Sequence, residues 1–228
     1  MSTKKQPIEG HTADAGWIAD VEPEFVAAMH GAGALSAITS KALKAGDHAP
    51  NFRLQDKEGN EFRLLELLKD GPVVVSFYRG DWCPYCNAEL RRLAERHREI
   101  EALGATLVAI SPGYGEATNQ TGASDDLPLS KLLDPGSKVA KAYGVAFDVA
   151  ISIQDLSTRY GMALPTVKDA ADLKLPLPAT YVIDQNSRIV LSFIDVDYRH
   201  RLQPDAVVAA LNGLKARSRG DLKSPRHH

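Results

Sequence analysis

The segment between residues 73 and 110 constrains the fold more than any other. Val73-Val74-Val75-Ser76-Phe77-Tyr78 is a short apolar run, the pattern of a strand buried on both faces. From Cys86 onward Leu90, Leu93, His97, Ile100 and Leu103 recur at steps of three and four residues. That spacing predicts a helix with one inward stripe, capped by Gly104. Thr106-Leu107-Val108-Ala109-Ile110 is a second buried strand. Strand, helix and strand at this spacing make a crossover unit whose strands lie parallel, so the chain is expected to be α/β.

The remaining elements extend this unit. Phe52-Arg53-Leu54 and Phe62-Arg63-Leu64 alternate around a turn at residues 56–61, which predicts a short hairpin. Leu132-Leu133 and a helix over residues 138–143 suggest a further strand and helix, and residues 144–176 read as an insertion. Thr180-Tyr181-Val182-Ile183-Asp184 and the apolar run 189–194 predict a second hairpin through Gln185-Asn186-Ser187, and Pro204 opens a terminal helix carrying Val207, Val208 and Leu211. Three regions follow. Residues 1–45 form an N-terminal segment with a helical extension over 23–45, residues 46–216 form one domain, and residues 217–228 form a basic tail.

Composition limits the function classes. The formal net charge is −2 over 228 residues with no dense Lys/Arg run, which argues against a nucleic-acid footprint. The polar start lacks the apolar core of a signal peptide, and no stretch reaches the roughly 20 apolar residues that span a bilayer. A cytoplasmic protein without membrane partners is therefore expected. The chain has two cysteines, Cys83 and Cys86. In a reducing compartment such a pair is more often catalytic or metal-binding than structural. Zinc would need four ligands, and the seven histidines show no ligand spacing, so no metal and no cofactor is expected.

Position gives the pair its chemistry. A buried strand ends at Tyr78, a glycine turn follows, and Cys83 falls in the first turn of the helix. Unpartnered N–H groups and the helix dipole there favour a thiolate, which predicts a Cys83 pKa below the free-thiol value of roughly 8.5. Pro84 suits that first turn because its missing N–H leaves nothing unsatisfied. Cys86, one turn on, is placed to resolve a mixed disulfide or sulfenic acid at Cys83. Arg79 either lowers the Cys83 pKa or faces solvent. Asp81 either accepts a proton from Cys86 or is a solvated turn residue. Trp82 and Tyr85 either shape a partly exposed docking surface or pack inward. His97, on the inward stripe, reads as a core histidine.

Trp82-Cys83-Pro84-Tyr85-Cys86 resembles the active site of the thioredoxin superfamily, with the Cys-Pro-Tyr-Cys core of glutaredoxins. Gly46-Asp47-His48-Ala49-Pro50-Asn51-Phe52-Arg53-Leu54, followed by Asp56 and Gly59, resembles the opening of peroxiredoxins of the alkyl hydroperoxide reductase/thiol-specific antioxidant family. Pro178-Ala179-Thr180-Tyr181-Val182-Ile183-Asp184 is similar to the segment where the superfamily places a cis-proline. The resemblance implies a thioredoxin-like fold, a central mixed sheet flanked by helices, with Pro178 as a cis-proline opposite Cys83.

Two departures bear on the reaction. Peroxiredoxins carry Thr or Ser three residues before the peroxidatic cysteine, and this chain has Gly80 three before Cys83. They carry Arg where this chain has Pro178. The resemblance then implies a thiol-disulfide oxidoreductase with Cys83 as nucleophile and Cys86 as resolving cysteine. A thiol peroxidase using the same pair and a redox-sensing partner-binding protein stand as alternatives. The implied partners are an oxidised protein or small-molecule disulfide, or a peroxide. Thioredoxin, glutaredoxin or glutathione would be the reductant, and a homodimer is one assembly open to the chain. An arginine from elsewhere, such as Arg159, reaching Cys83 would favour the peroxidase.

Overall fold

Strand β3, Val73–Phe77, is buried at every position and lies inside a seven-stranded mixed sheet. The computed structural model describes residues 39–81, 83–113, 127–148, 173–197, 200–218 and 220. In chain order the strands are β1 Arg53–Gln55, β2 Glu61–Arg63, β3, β4 Thr106–Ser111, β5 Ser130–Leu133, β6 Ala146–Asp148, β7 Lys174–Pro176, β8 Ala179–Ile183 and β9 Ile189–Ile194. The helices are α1 Leu64–Asp70, α2 Pro84–Glu95, α3 His97–Ala102, α4 Lys138–Ala142 and α5 Pro204–Ser218. The large sheet runs β2-β1-β5-β4-β3-β8-β9. As the crossover spacing requires, β3 and β4 are parallel, with Val73 opposite Thr106 and Phe77 opposite Ile110. β5 continues the parallel set, while β8 and β9 add an antiparallel edge in which Ser76 faces Thr180.

Alternation along β3 divides the interior in two. Val73, Val75 and Phe77 join Leu64 and Leu68 of α1, Tyr143, Tyr181 and Ile183 on one side. Val74 joins Leu93, Ile100, Leu107, Val182, Val207 and Leu211 on the other, beneath α2, α3 and α5. The first group is knitted by Phe77, Tyr143 and Tyr181, whose ring centroids lie 5.1, 5.3 and 6.1 Å apart pairwise, in the tilted and edge-on arrangements aromatic rings prefer.

Two expectations are corrected, and a third gains detail. The helix drawn as continuous from Cys86 to Leu103 breaks at Arg96 (φ −96°, ψ 7°), where the side chain ties to Glu99 and to Asp205 of α5. Within the expected N-terminal helix, residues 1–38 lie outside the described residues. Residues 39–41 are helical and the chain has left the helix before Ala45, since Leu43 N–H donates to the Tyr143 carbonyl at 3.1 Å and Gly46 N–H to that of Ile189 at 2.8 Å. The insertion is closed at its base by β6 and β7, which pair antiparallel with Phe147 opposite Leu175. Its middle, residues 149–172, and the tail 221–228 lie outside the described residues. Among the described residues no helix is long and apolar enough to cross a membrane.

Candidate active site

The turn after β3 delivers the cysteines. Tyr78 N–H donates to the Ile110 carbonyl at 3.0 Å, extending the β3–β4 pairing one residue beyond the strand. Gly80 (φ +141°) then reverses the chain, and its carbonyl accepts Cys83 N–H at 3.0 Å. Asn87 closes the turn by donating its side-chain amide to the Asp81 carbonyl at 2.7 Å. Cys83 becomes the N-cap of α2 and Pro84 its first residue, as the sequence predicts. The cap is a sulfur: Cys83 Sγ accepts Cys86 N–H at 3.4 Å, satisfying one of the free donors of the first turn.

Both cysteines are free and buried, with Sγ atoms 2.6 Å apart. Two guanidinium groups reach them from different parts of the chain. Arg79 Nη2 donates to Cys83 Sγ at 3.1 Å, and Arg201 Nη2, from the segment between β9 and α5, to Cys86 Sγ at 3.7 Å. Arg201 Nη1 also pairs with Glu89 Oε2 at 2.5 Å, and Thr180 Oγ1 donates to Glu89 Oε1 at 3.3 Å. Arg79 and Glu89 are 4% and 3% exposed, so these charges interact with little screening by water.

Electrostatics act on the pair as a unit. Burial pushes the Cys83 thiol well up, helped by its contact with Cys86. Burial opposes ionisation of Cys86 too, but the Cys83 contact, Arg201 and Arg79 outweigh it and hold that thiol well below the ordinary range. With the sulfurs in contact, one proton leaves the pair early and the second late. The expectation of a depressed pKa at Cys83 alone is therefore corrected: the early ionisation belongs to the pair, and Cys86 is the thiol on which it falls. Burial also pushes Glu89 up, against the pull of Arg201.

The other sequence candidates sort by their surroundings. Arg79 is the buried partner of Cys83, not a solvent-facing residue. Asp81 is exposed in the turn and pairs with Lys131 of β5 at 2.9 Å. Tyr85, offered as docking surface or packing, is buried in the core. Trp82 and Arg159 lie outside the described residues. His97 is half-buried, with Nε2 3.7 Å from Glu101, and is not a core histidine.

The cis-proline expectation is overturned. No cis peptide bond occurs among the described residues, and Pro178 follows Leu177 in trans. Leu177 N–H donates to the Val145 carbonyl at 2.8 Å, and the Pro178 carbonyl accepts Asp195 N–H at 3.4 Å. Both contacts continue the extended course from β7 into β8, which a trans bond preserves.

Sequence reasoning missed Glu89, Arg201 and Thr180. Glu89 carried a signal, a charge three residues after Cys86 on the helix face that also holds Leu90 and Leu93. Arg201 carried none, because the fold alone brings it across 112 residues to Glu89.

Known proteins are similar to this chain over most of the described domain. Peroxiredoxin Q, chloroplastic, of Sedum lineare is 29% identical over 184 residues, 79% of this chain and 83% of that relative. The protein of that name from Oryza sativa subsp. japonica is 29% identical over 163 residues, 72% of this chain. The chain spans 62% of that rice relative. Thiol-disulfide oxidoreductase ResA of Geobacillus thermodenitrificans is 27% identical over 149 residues, 65% of this chain and 68% of the relative. Among solved structures, peroxidoxin BcpB of Mycobacterium tuberculosis superposes with a TM-score of 0.55 at 24% identity, over 75% of this chain and 98% of that one, and shares the thioredoxin-like fold. The AhpC/TSA pattern matches residues 45–192, from the turn before β1 into β9, and the chain belongs to the AhpC/TSA family.

Proposed function

We propose that the protein is a thiol-disulfide oxidoreductase of the peroxiredoxin-like group. Cys83 attacks one sulfur of a substrate disulfide and expels the other half as a thiol. Cys86 then attacks Cys83, releasing the second half and leaving a Cys83–Cys86 disulfide. A protein or low-molecular-weight thiol of the thioredoxin, glutaredoxin or glutathione kind returns the two electrons, in a reducing compartment such as the cytoplasm. One observation carries this reading: the two sulfurs lie 2.6 Å apart and Arg79 sits 3.1 Å from Cys83. A proton passing from the Cys83 thiol to Cys86 leaves the charge on the sulfur at the helix start. Both sulfurs are covered, so a substrate meets them when the turn before α2 opens. Cys86→Ser should accumulate a mixed disulfide at Cys83, read by intact-mass measurement after reaction with a model disulfide. Accumulation in Cys83→Ser instead reverses the roles.

A second reading, a thiol peroxidase, is favoured by the second arginine. Pro178 offers no charge, but Arg201 supplies a guanidinium to Cys86 by another route. Cys86 would then attack the peroxide oxygen, with Cys83 standing where relatives in this family hold a hydroxyl, three residues earlier. Water leaves, the sulfenic acid at Cys86 condenses with Cys83, and a second water is released. Stopped-flow oxidation by hydrogen peroxide, set beside oxidation by a model disulfide, separates the two. A peroxide rate no faster than that of a free thiol, corrected for thiolate fraction, removes the peroxidase.

A further inference from the structure

One carboxylate shapes the segment that delivers Arg201 to the cysteines. β9 ends at Ile194, and Asp195 follows it, donating its N–H to the Pro178 carbonyl at 3.4 Å. Asp195 Oδ1 accepts Asp197 N–H at 2.8 Å, and Oδ2 lies 3.0 Å from His200 Nδ1. His200 N–H donates to the Asp197 carbonyl at 2.9 Å, so the chain is gathered around Asp195 just before Arg201. A carboxylate bonded to the backbone two residues on is a local hook that fixes chain direction. Beyond the hook the Arg201 side chain, 6% exposed, runs inward to pair with Glu89 and to reach Cys86 Sγ. The same hairpin holds Glu89 from the other side, because Thr180 of β8, opposite Phe193 of β9, donates to it. An arginine side chain is long, so its guanidinium meets Cys86 only where its backbone is held. A misplacement of about 1 Å at a reacting group can cost up to about 100-fold in rate.

We propose that Asp195 is a positioning residue: its carboxylate sets the backbone of Arg201 so that the guanidinium meets Cys86 during resolution. The inference deepens the oxidoreductase reading and rests on it. With oxidised glutathione, Cys83 thiolate attacks one sulfur, forms a Cys83–glutathione bond and expels the other half as glutathione thiolate. Cys86 thiolate then attacks the Cys83 sulfur, the Cys83–glutathione bond breaks, and a second glutathione thiolate leaves. Two electrons pass from the protein pair to the glutathione disulfide. The second step needs Cys86 ionised and aimed, and Arg201 is the group that donates to it from across the fold. Loosening the hook therefore slows resolution more than it slows the first attack, which takes place at Cys83 beside Arg79.

The two steps can be read separately. The full reduced chain is mixed with oxidised glutathione, quenched with acid at intervals and measured by intact mass. The rise of the Cys83–glutathione adduct reports the attack, and its decay reports resolution. Asp195→Ala should slow the decay roughly tenfold, with a smaller change in the rise. Asp195→Ser keeps a turn-forming oxygen, which preserves folding, but loses the reach to His200 and should slow the decay several-fold. Asp195→Asn keeps an oxygen for Asp197 N–H and an amide toward the His200 ring, and should decay within about twofold of the parent. Arg201→Gln should slow the decay at least as much as Asp195→Ala. The variant carrying both changes should decay no more slowly than Arg201→Gln alone, because Asp195 acts through Arg201. A merely structural role for Asp195 would instead multiply the two losses. Multiplied losses, a parent-like decay in Asp195→Ala or Asp195→Ser, or an Asp195→Asn variant as slow as Asp195→Ala overturns the proposal. If no adduct forms on the parent, the oxidoreductase reading falls and this inference with it. If the adduct forms and resolves alike in parent and variants, the inference alone fails.

Discussion

At its start β3 meets the rest of the protein through bare backbone, and at its finish through buried charge. Gly71, just before the strand, packs so closely on the turn after α3 that a Cβ there would lie 1.9 Å from the Gly104 carbonyl oxygen. Thr106 N–H donates to the Pro72 carbonyl at 3.0 Å beside it, and Gly104 takes φ +80° to release the chain into β4. At the other end the chain turns through Gly80 into two cysteines, two arginines and a glutamate whose side chains are enclosed. The first end is fixed by exclusion, since nothing larger than hydrogen fits. The second is fixed by pairing, because each buried charge needs its partner. One strand thereby ties an unreactive clamp to a reactive site.

The largest expected effect breaks the pairing. Arg201→Ala strands the Glu89 carboxylate in the interior, which should cost about 3–5 kcal/mol in urea denaturation of the reduced protein. Replacing both, Arg201→Met with Glu89→Leu, should recover most of that loss. A single variant within about 1 kcal/mol of the parent would mean that this end does not depend on paired charge. Gly71→Ala comes next, at about 2–3 kcal/mol, since the new methyl must push against backbone. The same variant should leave glutathione exchange of the folded protein unchanged, and altered exchange would show that the two ends are not independent.

A smaller effect follows pH. For the reduced pair, the thiol held low in the folded state stabilises the fold fully above the unfolded value of roughly 8.5, and this contribution is lost as pH falls through the folded value. The thiol held high contributes below roughly 8.5 and is lost as pH rises through its folded value. Thiolate ultraviolet absorbance should therefore appear in two separated steps of one equivalent each. A single step of two equivalents near the free-thiol value would show the sulfurs to be uncoupled. The smallest effect is Thr180→Val, which removes the 3.3 Å hydrogen bond to Glu89 and should cost about 1 kcal/mol, with a slight rise in the first thiolate step.

Much of this architecture was legible in the sequence because it depends on local pattern. The apolar runs of β3 and β4, the stripe carrying Leu90 and Leu93, the β8–β9 hairpin and the cysteines at a helix start all follow from spacing between near neighbours. The charge frame depends on long-range closure. Arg201 reaches Glu89 only because α5 folds back over β8 and β9, and nothing beside Arg201 in the chain marks it. The Arg96 break was hidden because its cause, Asp205, sits on another helix. Pro178 misled for a related reason: its motif is local, while its geometry is set by Val145 and Asp195, which lie elsewhere in the chain.

The short ladder of β6 and β7 has a consequence for how this chain tolerates change. Ala146 opposite Pro176, Phe147 opposite Leu175 and Asp148 opposite Lys174 bring the two ends of residues 149–172 together before the chain enters β8. Once the ends are held, loop-closure entropy grows only with the logarithm of length, and each doubling adds about 0.6 kcal/mol. The entropic cost of holding β6 against β7 therefore depends only weakly on the length of chain between them.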